Sequence, residues 1–136
     1  MKNIISFITG TLTTWLVYFL GGWDVALQVL IIIVILDYVS GLCNAMYNKK
    51  LSSAIGLKGI IKKVGYFVIV ALSVILDKIL GNSGALRTLV IYFFVANEGI
   101  SILENWGGMG LPLPKKLFDV LEQLKKDNDP DNEEVE

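Results

Sequence analysis

Four apolar stretches, each close to the length of a membrane-crossing helix, constrain this chain more than any other feature. They cover about 4–22, 25–47, 60–80 and 85–103. A helix rises about 1.5 Å per residue and the hydrocarbon core of a bilayer is about 30 Å thick, so about twenty apolar residues cross it. Apolar residues make up 54% of the chain, more than is usual in soluble domains. The pattern predicts an all-α membrane protein with about four transmembrane helices.

The first stretch also resembles the apolar region of a secretory signal peptide. The residues after it, Gly21-Gly22-Trp23-Asp24, lack the small-x-small pattern of a cleavage site, and a second apolar stretch follows at once. We therefore expect a first membrane helix that is joined to the second by a tight turn. The sequence leaves open whether the chain crosses the membrane three or four times.

The positions of Lys and Arg predict the orientation. If both termini lie in the cytoplasm, ten of the twelve basic residues lie on the cytoplasmic side. The positive-inside rule favours this orientation. Basic residues near the second loop are suited to anionic lipid headgroups rather than to nucleic acid, which we do not expect as a partner. These candidate surface residues are Lys49, Lys50, Lys58, Lys62 and Lys63.

The C-terminal part is predicted to differ from the helical bundle of residues 1–105. Residues 106–126 contain a Gly/Pro turn and then apolar residues at helical spacing, which predicts a short amphipathic helix. This helix either lies on the cytoplasmic membrane surface or caps the bundle from below, and both placements remain open. Residues 127–136 include six acidic residues and are predicted to form a disordered tail.

Polar residues recur on one face of three of the four predicted spans. Asp37 falls about halfway along the second span, where an ionised carboxylate costs about 2.5–3.5 kcal/mol. We call each of these polar faces a seam. The polar groups of a seam either form hydrogen bonds within one subunit, or they meet the seams of other subunits and line water after a rearrangement. The candidate seam residues are Asp37, Ser40, Gly41, Asn44, Ser73, Asp77, Arg87, Asn97, Glu98, Ser101, Glu104 and Asn105.

The residue types that most catalytic and metal sites require are scarce. The chain has no histidine and a single cysteine, Cys43, and it contains no glycine-rich phosphate-binding motif. Glu98 and Glu104 are six residues apart, which places them on different faces of a helix and argues against a paired acid and base. We expect no enzyme activity, no catalytic residue, no metal site and no cofactor.

Four segments, 37–41, 52–63, 97–105 and 110–114, carry a resemblance to a known family. The most specific is 97–105, which reads Asn-Glu-x-x-Ser-x-x-Glu-Asn and precedes a pair of prolines. The chain resembles the phage lysis and toxin-secretion holins of Gram-positive hosts between about Val25 and Lys126. The resemblance implies a protein that accumulates in the cytoplasmic membrane, oligomerises and opens a large pore for an endolysin or a toxin. Many holins also have a longer inhibitory form with a nearby second start codon, but Met46 lies inside the second span, so no such start is visible.

The size of a protein cargo predicts assembly of many copies. A folded enzyme domain is about 30 Å across and a helix about 10 Å wide, so a surrounding ring needs about a dozen helices. Two other functions remain as alternatives: a small selective ion channel or transporter, and a non-conducting membrane scaffold. The sequence shows neither a selectivity filter nor an inverted repeat to favour the first of these.

Overall fold

The computed structural model describes residues 1–129 and 131, and no β-strand occurs among them. This confirms the predicted all-α class. These described residues form five α-helices: α1 (Lys2–Phe19), α2 (Val25–Tyr47), α3 (Ser53–Leu80), α4 (Ala85–Gly108) and α5 (Lys115–Asp127).

Three helices, α2, α3 and α4, are long and apolar enough to cross a membrane. The mean hydropathy of their most apolar 18-residue windows is 2.3, 2.0 and 1.4. Helix α1 is not among them, because its 18 residues include Lys2, Asn3 and four threonines. The fourth span and the cytoplasmic location of both termini therefore stay predictions.

Several helices extend beyond or stop short of the apolar stretches. Helix α3 begins at Ser53, well before the predicted start at 60, because the Ser52 side chain accepts a hydrogen bond from Ile55 N at 3.2 Å. Helix α4 continues to Gly108, past the predicted end at 103, whereas α1 ends at Phe19. Apolar composition marks the part of a helix that suits hydrocarbon, whereas capping decides where the backbone hydrogen bonds end.

Helix α4 lies at the centre of the fold and packs against α2, α3 and α5. Leu30 and Val34 of α2, Val70 of α3 and Ile91 of α4 form the buried core. Beside this core the rings of Tyr66 and Phe94 stack with centroids 4.3 Å apart, and the outward faces of α2 and α3 carry exposed apolar side chains. The core is small because the apolar faces point away from the bundle, as expected of helices surrounded by lipid.

Helix α1 extends away from the other helices, and none of its residues is buried. Its threonine hydroxyls are satisfied within the helix. Thr11 and Thr13 donate to the carbonyl oxygens of Phe7 and Thr9, each at 2.8 Å, and Thr9 and Thr14 make equivalent bonds. The four threonine hydroxyls of α1 therefore need no water, which makes this part of its surface compatible with lipid.

Helix α5 turns back beside α4. Trp106 Nε1 donates to Pro112 O at 2.9 Å across the turn, and Gly110 supplies a positive φ of 79°. The Leu121 side chain then lies against Gly99, nine residues before the end of α4. Helix α5 therefore packs along α4, and its position relative to the membrane stays a prediction. Most of the predicted acidic tail, residues 130 and 132–136, lies outside the described residues.

Candidate functional site

Three charged side chains from three different helices meet inside the group of spans. Lys63 Nζ of α3 contacts the carboxylates of both Asp37 in α2 and Glu98 in α4. Their side chains are 14%, 8% and 1% exposed. We call these residues the ionic triad. An ionised side chain at this depth is stable only with such a partner, so the triad holds all three helices together.

Helical spacing places each member of the triad on a buried face. Asp37 follows the buried Leu30 and Val34 of α2 at intervals of four and three residues. In α3 the same spacing connects Lys63 with the half-buried Tyr66 and with three buried residues, Val70, Ser73 and Asp77. Because residues three and four apart share one side of a helix, each charged group faces its neighbours rather than lipid.

An amide and a hydroxyl complete the surroundings of Asp37. Asn105 Nδ2 lies 3.2 Å from Asp37 Oδ1 and 3.0 Å from Ser40 Oγ, and Ser40 Oγ in turn donates to Asp37 O at 3.0 Å. Across the described residues, no buried side-chain nitrogen or oxygen lacks a hydrogen-bond partner. The single chain thus satisfies its own buried polar groups, as the first interpretation of the seam expected.

The ionic triad borders an open cavity of about 490 Å³. Most of the polar groups that line it come from α2, α3 and α4, and Lys125 of α5 lies at its edge. A space of this size with many polar partners is suited to holding several water molecules. The predicted seam residues that line it are Asp37, Gly41, Asn97, Glu98, Ser101, Glu104 and Asn105.

A second charged group lies at the other end of α4, around the buried Arg87. Its guanidinium donates to Leu20 O at 2.6 Å and to Gly22 O at 3.2 Å, and forms a two-pronged ion pair with Asp24 at 2.6 and 3.0 Å. This hydrogen-bonded pair lowers the pKa of Asp24. Arg87 therefore fixes the turn between α1 and α2. Gly21 permits the contact, because an added Cβ would lie 2.4 Å from Arg87 Nε.

Asp77 caps the start of α4 rather than facing the cavity. Its two carboxylate oxygens accept hydrogen bonds from Leu86 N and Arg87 N, each at 3.0 Å. The residue at the N-cap position itself, Gly84, has no side chain to do so. The end of α3 thus satisfies the first turn of α4.

We expect Asp77→Ala to reduce the free energy of unfolding in mixed detergent micelles by about 1–2 kcal/mol, because two amides of α4 lose their acceptor. Asp77→Asn keeps one carbonyl oxygen and should lose less. If Asp77→Ala and the wild type have the same free energy of unfolding within experimental error, the cap contributes nothing to stability.

The remaining predicted seam residues lie apart from the cavity. Asn44 packs against Gly108 at the far end of α2 and accepts a hydrogen bond from Asn48 Nδ2 at 2.8 Å. Ser73 Oγ donates within its own helix to Val70 O. The structure therefore divides the predicted seam into three levels along the helices: the Arg87 end, the ionic triad, and the contact of Asn44 with Gly108.

The five predicted surface lysines also separate. Lys49, Lys50, Lys58 and Lys62 are exposed, whereas Lys63 lies between two acidic side chains inside the group of helices. Lys63 is therefore not a surface residue, and contact of the four exposed lysines with lipid headgroups stays a prediction.

A sequence model of the bacteriophage holin family matches residues 14–126. This chain belongs to the bacteriophage holin family. A protein of Bacillus phage phi105 named "Probable holin" is 31% identical over 103 residues, which are 76% of each chain. An uncharacterised 14.9 kDa protein of Clostridium perfringens is 44% identical over 91% of this chain and 97% of its own. An uncharacterised protein of Listeria monocytogenes is 41% identical over 76% of this chain and 74% of its own. No solved structure matches.

The sequence did not indicate Asp24 or Gly99 as organising residues of this holin-family chain, and it assigned Lys63 to the membrane surface. Asp24 caps α2 through Leu27 N at 3.0 Å and pairs with Arg87, and its position just before an apolar run is a recognisable cap signal. Lys63 shares the buried face of α3 with Tyr66, a spacing visible in the sequence. The close approach at Gly99 had no local signal, because it depends on where α5 packs.

The described residues hold no group of three or more His, Cys, Asp or Glu side chains placed to bind a metal ion. The cavity of this holin-family member contains positive and negative groups in contact with each other. Its chemistry is therefore that of an ion-paired contact between helices beside an open polar cavity.

Proposed function

We propose that this chain is a holin, which accumulates in the bacterial cytoplasmic membrane and assembles with its own copies into a pore that releases an endolysin. The observation that carries the proposal is the ionic triad beside a polar cavity, between three helices of membrane-spanning length. Membership of the holin family supports the same role and a non-enzymatic one. Ionised side chains within membrane-spanning helices are rare and mark functional sites, which supports a role for the triad and its cavity.

The proposed pore is made by many copies, because one chain has too few helices to surround a folded enzyme. In the single chain the exposed surfaces of α2 and α3 are apolar and suit lipid or a neighbouring copy. The polar cavity opens to one side of the helices and offers a surface that can exchange its internal contacts for water. We propose that Asp37, Glu98 and Asn105 hold the closed state and that these groups are hydrated when the pore opens.

We further propose four spans, with both termini in the cytoplasm. Helix α1 supports this by its internally bonded threonines and by the turn that Arg87 fixes at its end. The exposed lysines of the loop between α2 and α3 favour the cytoplasmic side and contact with anionic lipid.

Induced expression in a bacterium tests the proposed role. With a co-expressed cytoplasmic endolysin, we expect growth to continue, then stop abruptly, and lysis to follow. With the endolysin omitted, the membrane potential should collapse without lysis. A selective channel would collapse the potential but retain the endolysin. A scaffold would leave the potential intact and also retain the endolysin. Either result would contradict the proposal.

Glu98→Leu should shorten the time between induction and lysis by a measurable fraction of its wild-type value. The substitution removes the contact between α3 and α4 in the ionic triad but leaves Lys63 paired with Asp37, so the chain keeps a balanced charge pair. Optical density after induction gives the timing. Thr88→Leu, on the exposed side of the same helix, serves as the control and should lyse on schedule. An unchanged or later lysis time for Glu98→Leu, at equal protein level, would remove this role of Glu98.

A further inference from the structure

Helix α5 packs into the side of the membrane-spanning helices through two leucines. Leu121 lies so close to Gly99 that an added Cβ would be 2.8 Å from its methyl carbon. One turn later, Leu124 shares a small apolar pocket with Val25 and Val29 of α2 and Val95 of α4. Helix α5 thus packs along α4, and Leu124 faces α2 across this pocket.

This site lies deep along α4. Gly99 is nine residues and Val95 thirteen residues before the last residue of α4, Gly108. At about 1.5 Å per residue these contacts lie about 13 and 20 Å from that end, within a hydrocarbon layer about 30 Å thick. Helix α5 therefore occupies the depth of the membrane when it is packed as in this structure.

The opposite face of α5 is polar and exposed. It carries the exposed residues Lys116, Asp119, Glu122 and Gln123, and the apolar Val120 and Leu117 beside them are exposed as well. Charged side chains are strongly disfavoured in hydrocarbon, so lipid cannot cover this face while the leucines stay in their site.

The polar face also continues into the cavity of the ionic triad. Lys125, on the packed edge of α5, lines that cavity together with Asn97 and Ser101 of α4. The charged face of α5 therefore adjoins the polar cavity of the ionic triad at Lys125. Such a surface at membrane depth requires water on the same side of the protein.

From this geometry we propose that α5 lines the water-filled passage of the assembled pore, with its leucines held by α2 and α4 and its charged face toward the lumen. This inference rests on the proposed function and adds α5 as an element of the lumen wall. It makes the amphipathic helix a part of the wall rather than a helix on the membrane surface.

The test uses the full chain with Cys43→Ser, reconstituted in vesicles at a density that releases large dextrans. One variant carries both Leu124→Cys and Val95→Cys, and it is treated with a short bifunctional thiol reagent. In others a nitroxide label is attached at Glu122→Cys, or, as the matched control, at Ile32→Cys on the outward face of α2, which is 58% exposed. Every variant must release dextran as the parent does, which shows that it has folded.

We expect the two cysteines to cross-link within one chain in most molecules. The label at Glu122 should relax mainly with a water-soluble nickel complex, and the label at Ile32 mainly with oxygen. Absence of the cross-link places α5 on the membrane surface, and a Glu122 label shielded from both relaxers places it against another copy. Either result, in vesicles that still release dextran, overturns this inference and leaves the proposed function intact. Failure of the parent to release dextran at any density overturns both.

Discussion

Lys63→Met should cause the largest loss of stability among single substitutions in the spans, about 3–5 kcal/mol in the free energy of unfolding. The lysine is the shared partner of two carboxylates, of which Glu98 is 1% exposed. Its removal leaves two buried acidic groups near each other without a compensating charge, which costs more than the loss of a contact. Unfolding in mixed micelles, followed by circular dichroism, measures the difference.

Two variants show whether charge balance is the cause. Lys58→Met makes the same change on the same helix at an exposed position and should leave stability within about 0.5 kcal/mol of the wild type. Lys63→Met combined with Asp37→Asn and Glu98→Gln removes all three charges and should recover most of the loss, because a neutral hydrogen-bonded group avoids the desolvation of unpaired ions. If this triple variant were as unstable as Lys63→Met alone, the ion pairing would not be what the lysine contributes.

Arg87→Met should release the turn between α1 and α2 and cost about 2–3 kcal/mol. The guanidinium donates to Leu20 O, Gly22 O and the carboxylate of Asp24, so one side chain fixes the whole turn. We expect faster protease cleavage within residues 20–24, together with a lower unfolding midpoint in micelles.

Arg87→Lys separates charge from geometry. A lysine keeps the positive charge but cannot make the two-pronged contact with Asp24 and reach both carbonyl groups, so it should recover less than half of the loss. Full recovery would mean that charge alone holds the turn, and wild-type cleavage of Arg87→Met would mean that the turn is fixed in another way.

The sequence predicted the class of fold and the acidic members of the ionic triad for a simple physical reason. A carboxylate such as Asp37 or Glu98 inside an apolar run must have a partner, so its position alone indicates a buried site. The partner was harder to assign, since Lys63 stands next to the exposed Lys62 and a lysine near a helix end can equally reach the membrane surface.

Long-range packing accounts for what the sequence did not predict. Arg87 and Glu98 lie nearly on one face of α4, which suggested one polar seam, yet each finds its partners at a different level of the bundle. The position of α5 depends on the fit of Leu121 against Gly99. Neither the periodicity of α5 nor the composition of α4 contains that information, because it arises only when the two helices meet.

The size of the hole that the purified protein makes tests the central claim most directly. Vesicles of bacterial lipid that contain dextrans of graded size, from small dyes to polymers larger than a folded enzyme, should retain all of them at low protein density. Above a threshold density they should release even the largest together with the smallest. Retention of every dextran while small ions pass, at all densities, would contradict the account.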